Sequence, residues 1–395
     1  MYQIKDFLTI KNCPLNNKKV FLRADLNVPL NNGTIVDDFR LQSIIPTLDY
    51  LLKKNCTIIL ATHIGRPKNN ESTLSTKILI PWFEQRGYSI VYEPDLTKAQ
   101  QHPTSSTIIL LENLRFFAGE KDSDTTFAKQ LAKCAEYYVN DAFAVSHRND
   151  TSITLLPTLF PSNKRTIGLL IENELTHLNK LLINPKNPYT LVLGGGKVTD
   201  KLPIITAMLE KIDRLLLCPA LVYSFLAAQH KPTGKSLVDT AALETIKKIV
   251  DKAEKNNVAL YEPLDYQVAL DTLDGPLCYV DAQKFPANAI GTSIGPKTVT
   301  AWSTILNTSE TIFFNAGMGF ADRPETWVDG KALLDVIAKT NAYSVVGGGS
   351  SVALVRDASL QDSISFLSTG GGATLNYLAG KPLPGLQVLI NRTKS

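Results

Sequence analysis

Three short apolar runs in the second half of the chain lead into three consecutive glycines. Leu191-Val192-Leu193 runs into Gly194-Gly195-Gly196 and Lys197, and Tyr343-Ser344-Val345-Val346 into Gly347-Gly348-Gly349 and Ser350. Ile364-Ser365-Phe366-Leu367 passes through Ser368 and Thr369 into Gly370-Gly371-Gly372. A brief apolar run closed by glycine reads as a strand buried on both faces. A helix that opens behind a turn without side chains offers unpaired N–H groups and the positive end of its dipole, which favours an anion such as phosphate. The pattern after Gly372 is an amphipathic helix, with Ser368 or Thr369 placed to cap it. One such turn can be a tight connection that binds nothing. Three of them, at strand ends that share one edge of an open α/β sheet, point to a floor for phosphates with Lys197 as a mobile cation.

Strand-like and helix-like segments alternate along almost the whole chain. In the first half, 20–22, 57–60, 89–92, 107–110 and 137–139 read as buried strands, with helical patterns such as Leu41–Lys53 and Thr125–Ala135 between them. In the second half the strands fall near 190–193, 214–217, 258–261, 311–314, 343–346 and 364–367. This alternation predicts an α/β fold of two Rossmann-like lobes, each a parallel sheet flanked by helices. Ile171, Leu175, Leu178 and Leu182 share one helical face, and Asn184-Pro185-Lys186-Asn187-Pro188 stops that helix. The expected division is a first lobe over 1–166, a connecting helix over 167–184 and a second lobe over 185–382. The apolar tail within 383–395 is expected to pack back on the first lobe.

Composition narrows the function classes. A chain of 395 residues, 44% hydrophobic and 20% charged, suits two globular domains. A net charge of +4 gives no reason to expect nucleic acid or a membrane surface as partner. Residues 1–12 lack the apolar core of a secretory signal, and no apolar run is long enough to span a bilayer. Cys13, Cys56, Cys134, Cys218 and Cys278 are scattered without metal-ligand spacing, which fits reduced thiols in the cytoplasm.

The strand ends of the first half carry an unusual polar set. The first is followed by Arg23, Asp25 and Asn27, and the second by His63, Gly65 and Arg66. The fourth leads to Glu112, Asn113 and Arg115, and the fifth to Asn140, Asp141, His147 and Arg148. Arg40 opens a helix after Asp37-Asp38. Each residue alone has an ordinary structural explanation. If the strand ends converge, five arginines and two histidines face one cleft, and arginine's planar fork suits carboxylate and phosphate oxygens. Such a cleft would take a small, multiply anionic substrate.

These stretches resemble the phosphoglycerate kinase family over nearly the whole chain. The likeness rests on Phe21–Pro29, Thr62–Pro67, Glu112–Phe116 and Asn140–Phe143 in the first half. In the second it rests on Gly194–Lys201, Gly295–Thr298, Gly347–Gly349 and Ser368–Gly372, in the same order. The resemblance implies reversible phosphoryl transfer between 1,3-bisphosphoglycerate and ADP, giving 3-phosphoglycerate and ATP, in an interlobe cleft that closes, by a cytoplasmic monomer. It implies that Asp25, Leu26, Asn27, Arg40, His63, Ile64, Gly65, Arg66, Arg115 and Arg148 bind the sugar acid. Lys197, Lys201, Asp322, Gly347, Gly348, Gly349 and Ser350 would bind the nucleotide, with Asp322 where the family usually has a glutamate for the ribose. Arg40, Lys197, Gly370 and Gly371 would stabilise the phosphoryl group in flight. The acceptor is an ionised carboxylate, so no general base is needed, and positioning with charge neutralisation does the chemistry.

The departures from the family pattern fall mainly in the second half. The family usually holds the Mg²⁺ of ATP or ADP with an aspartate after Gly347–Gly349, where this chain has Ser350. A serine hydroxyl is a weaker, uncharged ligand. Cys218-Pro219-Ala220 replaces a glycine run near the adenosine, and Phe314-Asn315-Ala316-Gly317-Met318-Gly319 replaces a form that contains tryptophan and proline. Ser293 and Asn376 replace acidic residues, and Asn149-Asp150-Thr151 departs from the pattern after Arg148. Two readings follow, a divergent but active kinase, or a paralogue with a degenerate nucleotide site that binds 3-phosphoglycerate with weak or no kinase activity. A nicotinamide dehydrogenase is disfavoured because Gly317-Met318-Gly319 lacks the third glycine of that fingerprint. A Walker-type site is disfavoured because Val198 follows Lys197. Ser350→Asp is expected to raise activity at low Mg²⁺ in a steady-state assay, and no gain, or a loss, contradicts this reading of the position.

Overall fold

A computed structural model describes residues 2–103 and 105–391. The chain divides into two compact units. One comprises the residues up to Thr176 with the segment from Pro382 onward, the other His177–Lys381.

The first unit is built on a six-stranded sheet. Its elements are β1 (Lys19–Ala24), the small hairpin β2 (Leu30–Asn31) and β3 (Thr34–Ile35), α1 (Phe39–Lys53), β4 (Thr57–Ala61), α2 (Ile80–Glu84) and β5 (Ile90–Glu93). There follow α3 (Leu96–Gln101), β6 (Ile108–Leu111), α4 (Thr125–Ala132), β7 (Tyr137–Asp141), α5 (Thr151–Thr154), β8 (Arg165–Ile167) and the start of α6 (Leu169–Leu182). The sheet order is β5-β6-β4-β1-β7-β8, every neighbour parallel. The central strands are buried throughout, as continuous β-branched and leucine runs require when both sheet faces are covered. On α1, Leu41, Ile44, Leu48 and Leu51 form the inward stripe at helical spacing. Parallel pairing brings the loops after β1, β4, β6 and β7 to one edge.

The C-terminal segment belongs to this unit. Ile390 bridges Phe7, the Gly385 amide donates to the Ser146 carbonyl at 2.9 Å, and Asn140 Nδ2 donates to the Gly385 carbonyl at 3.2 Å. A short helix α14 (Pro384–Gln387) thus buttresses the loop that carries His147 and Arg148. The last four residues of the expected tail lie outside the described residues.

The second unit contains a second six-stranded parallel sheet, β11-β10-β9-β15-β16-β17. Its strands are β9 (Tyr189–Leu193), β10 (Arg214–Leu217), β11 (Ala259–Tyr261), β15 (Thr311–Asn315), β16 (Tyr343–Gly347) and β17 (Phe366–Ser368). The helices that matter for the site are α7 (Val198–Met208), α8 (Leu221–Ala228), α12 (Gly349–Asp357) and α13 (Gly372–Leu378). The unit also holds a three-stranded antiparallel sheet of β12 (Asp265–Leu270), β13 (Leu277–Asp281) and β14 (Ala289–Ile294), which the sequence reading does not contain. β13 is at most half-buried along its length, with Tyr279 and Asp281 exposed, so it lacks the full burial that marks the strands of the parallel sheets. No described helix is long and apolar enough to cross a membrane.

Candidate active site

In the first unit, backbone bonds made by side chains tie the strand-end loops together. The Asn27 carbonyl oxygen Oδ1 accepts the Gly65 amide at 2.8 Å, and Thr62 Oγ1 accepts the Leu26 amide at 2.9 Å. Asn113 Nδ2 donates to the carbonyls of Ile64 and Leu74, both at 2.8 Å, while its Oδ1 accepts the Arg115 amide at 3.1 Å. Gly65 has φ +63°, a conformation that strains a residue with a side chain, and a Cβ there would also have to displace a Leu74 methyl 2.9 Å away. Its carbonyl then accepts Arg115 Nη1 at 2.5 Å. Three loops are thereby locked in one arrangement.

Beneath them lies a buried ionic network. Arg23 has no solvent exposure. Its Nε donates to Ser152 Oγ at 2.8 Å, its Nη1 to the Ala24 carbonyl at 2.5 Å, and its Nη2 lies 3.7 Å from Glu120 Oε1. Glu120, equally buried, accepts the Ser152 hydroxyl at 2.6 Å and the Ser152 amide at 3.0 Å. Arg23 is therefore a structural residue and not one of five arginines facing the cleft. Its guanidinium is committed to Glu120, Ser152 and the backbone.

The positive charge above this network is only partly compensated. Arg40 pairs with Asp25, and burial lowers its pKa, with Arg148 adding to the fall and Glu174 opposing it. Arg115 is pushed down to about 10 by burial and then by Arg148, so it still carries its charge near neutrality. Its Nε and Nη2 are buried with no hydrogen-bond partner among the described residues. A buried polar group left without its hydrogen bond costs about 1–3 kcal/mol, and a charged one more, a cost that an anion at this place would offset. His63 is 1% exposed, and its pKa lies well below the ordinary imidazole value, first through burial and then through Arg23, Arg115, Arg148 and Arg40. It is thus a neutral hydrogen-bonding ring at physiological pH, 3.4 Å from Arg23 Nη2. The structure brings Asp25, Asn27, Arg40, His63, Arg115 and Arg148 together, with Leu26 and Ile64 buried in the loops that hold them. Arg66 is exposed on the His63 loop.

The glycine loops of the second unit also converge. Lys197 is exposed at the start of α7, and Lys201 follows one turn later, almost buried at 9% exposure. Lys201 Nζ donates to Asn315 Oδ1 at 3.0 Å, and Asn315 Nδ2 donates to the Gly347 carbonyl at 2.7 Å. Asn315 thereby ties the lysine to the loop of Gly347, Gly348 and Gly349. Gly348 has φ +95°, and a Cβ there would stand 2.7 Å from Asn315 Nδ2, so only glycine fits. Burial lowers Lys201 to about 8, with Asp200 opposing and Lys197 reinforcing the shift. Ser350 is exposed in the first turn of α12, and Asp322 is exposed beyond Gly319.

One expectation about these loops changes, and a second loop keeps its backbone shape. Helix α13 has Gly371 at its N-cap with no side-chain capping bond, so Ser368 is not the cap. Its hydroxyl instead accepts the Gly370 amide at 3.2 Å and pairs with Thr374 Oγ1 at 2.6 Å. The Gly370 N–H is therefore engaged within the loop, and Gly371, at φ +51°, turns the chain into the helix. At the other altered loop, Ala220 occupies φ +65°, ψ −51°, a conformation natural to glycine. The backbone there keeps a glycine's shape although Cys218-Pro219-Ala220 has replaced the glycines.

Sequence alone did not single out Glu120, Ser152 or Asn315. Glu120 follows Gly119 in a polar stretch that looks like surface, whereas Asn315 closes a buried apolar strand, a signal that was available.

Residues 10–381 match the family model of phosphoglycerate kinase. The chain belongs to the phosphoglycerate kinase family. A phosphoglycerate kinase of Chlamydia muridarum is 37% identical, with 97% of this chain and 98% of that protein aligned, and one of Bdellovibrio bacteriovorus is 36% identical, with 99% of each aligned. The solved structure of phosphoglycerate kinase from Coxiella burnetii has TM-score 0.81 and 30% identity, covering 98% of this chain and all of that one. These likenesses bear out the two-sheet α/β fold and the family expected from the motifs.

The Arg23–Glu120 pair generates a stability prediction. Glu120→Ala leaves a buried guanidinium without its counter-charge and should lower the stability of the first unit by about 3–5 kcal/mol, read by urea unfolding. A loss below about 1 kcal/mol contradicts a buried, compensated pair.

Proposed function

We propose that the chain transfers a phosphoryl group reversibly between 1,3-bisphosphoglycerate and ADP, yielding 3-phosphoglycerate and ATP, as a glycolytic and gluconeogenic enzyme. The observation that carries this reading is the half-buried Arg115, whose buried Nε and Nη2 have no partner among the described residues, clustered with Arg40 and Arg148 around neutral His63, a cluster that calls for a small polyanion. In the direction of acyl phosphate formation the substrate carboxylate attacks the γ-phosphorus and ADP leaves, so no proton is removed. A buried neutral His63 fits that requirement, since the chemistry asks nothing of it as a base.

The proposed roles follow the two units. Asp25, Leu26, Asn27, Arg40, His63, Ile64, Gly65, Arg66, Arg115 and Arg148 hold the sugar acid. Lys197, Lys201, Gly347, Gly348, Gly349 and Ser350 hold the nucleotide phosphates, with Asp322 on the ribose. Arg40, Lys197, Gly370 and Gly371 are the groups proposed to neutralise charge on the moving phosphoryl group. Gly370 can do so only if its amide leaves Ser368. Among the described residues no three His, Cys, Asp or Glu side chains form a metal-binding group. Ser350 alone offers one neutral oxygen, so Mg²⁺ is best read as arriving with ATP or ADP and not as a resident of the chain. Full-length relatives named phosphoglycerate kinase favour an active enzyme over a binding-only paralogue. The unpaired cysteines accord with a cytoplasmic location, and the monomeric state is proposed from the family likeness.

The test is an assay that couples 3-phosphoglycerate and MgATP to acyl phosphate formation. Turnover supports the proposal, and 3-phosphoglycerate binding without turnover would favour the binder. A pH series adds a sharper expectation. Lys201 has a lowered pKa of about 8, so its charge is present below that value and lost above it. The KM for nucleotide should rise about tenfold from pH 7 to pH 9 as the ammonium deprotonates, and Lys201→Arg should flatten that rise. A wild-type KM independent of pH contradicts the role given to Lys201.

A further inference from the structure

Asp150 stands two residues after Arg148, at the entrance to α5, and is 8% exposed. Its backbone carbonyl accepts the Ile153 amide at 2.9 Å, but its side chain takes no part in capping the helix. The carboxylate oxygen Oδ2 is buried with no hydrogen-bond partner among the described residues. Buried carboxylates are ordinarily held by hydrogen bonds or an ion pair, because an unpaired one is costly. This one is held by neither at Oδ2. Its charge acts on Arg115, on His147 and, repulsively, on Glu120. Arg115 in turn leaves Nε and Nη2 unpartnered. An unsatisfied anion and an unsatisfied cation therefore share one loop cluster without closing on each other. This is the segment Asn149-Asp150-Thr151 that departs from the family pattern.

We infer that Asp150 is an affinity-setting residue of the sugar-acid site, a fixed carboxylate that competes with the incoming anion for the field of Arg115. The arginines of the site are spatially fixed, so one negative charge placed among them cancels part of the attraction any anionic ligand feels. The benefit is release. A site with several desolvated arginines and no internal competitor would hold its product long, and product release sets many turnover rates. The identity of the ligand rests on the function proposed above, but competition for the arginine field does not.

The test is calorimetric titration of the wild-type protein, Asp150→Asn and Asp150→Glu with 3-phosphoglycerate and, separately, with inorganic phosphate. Asp150→Asn should bind both anions roughly five- to thirtyfold more tightly at low ionic strength, the range expected for one charge several ångströms away at protein-like dielectric. The gain should shrink at high ionic strength, because added salt screens the field. Asp150→Glu should stay near wild type, and ADP affinity should not move in either variant. Asp150→Ser serves as a second charge-removing variant. Unchanged or weaker anion binding in a folded charge-removing variant overturns the inference. Loss of the fold in both charge-removing variants also overturns it, since Asp150 would then be a structural counter-ion. If no form binds 3-phosphoglycerate yet phosphate binding tightens, the proposed reaction fails and this inference stands. If wild type binds 3-phosphoglycerate and neither anion responds to Asp150→Asn, the reverse holds.

Discussion

Like charges confined at one sheet edge are the constraint on which the first unit depends. Arg40, Arg115 and Arg148 all act on His63, and Arg148 raises the cost of keeping Arg40 and Arg115 charged. Such an arrangement survives only because rigid scaffolding beneath it prevents the side chains from dispersing. The Arg23–Glu120–Ser152 network supplies that floor, and the bonds from Asn27 and Asn113 to neighbouring loops supply the walls. Electrostatic preorganisation of this kind has its cost met at folding, so no reorganisation is needed when the ligand arrives.

The second unit solves a similar problem with backbone in place of side-chain charge. Its loops after β9, β16 and β17 are glycine-rich and nearly devoid of side-chain bulk, and Asn315 at the end of β15 bonds to Lys201 on one side and Gly347 on the other. A lysine held near its titration point by burial responds strongly to an approaching phosphate, because the ligand's negative charge favours the ammonium form. One cation is thus buried and tuned, while Lys197 on the preceding turn remains exposed.

Much of this was legible in the chain itself. Buried parallel strands announce themselves as uninterrupted apolar runs, so five strands of the first sheet and all six of the second were readable from runs such as Ile58-Ile59-Leu60 and Leu191-Val192-Leu193, while the three-residue edge strand Arg165–Ile167 was too short to read. The antiparallel sheet was not, because its central strand, Asp265-Tyr266-Gln267-Val268, interleaves polar with apolar residues and Leu277–Asp281 is half-exposed. Arg23 shows the limit more sharply. Its neighbours in sequence mark it as a strand-end residue, but a strand-end guanidinium can point at a ligand or at a buried partner, and only the position of Glu120, almost a hundred residues on, decides between them. Ser368 shows the same limit at short range. It is a good capping residue in the right place, yet its hydroxyl serves the Gly370 amide, because the glycine turn carries the chain one step further before the helix begins.

The central claim is that the buried donors of Arg115 are kept unpaired for an anionic sugar acid. Thermal unfolding of the full chain with increasing 3-phosphoglycerate, at constant ionic strength, tests it most directly. A ligand that binds only the folded state raises the midpoint in proportion to the logarithm of its concentration. The account predicts such a rise in the wild-type protein and its loss in Arg115→Gln. An equal rise in both proteins, or none in the wild type, would contradict it.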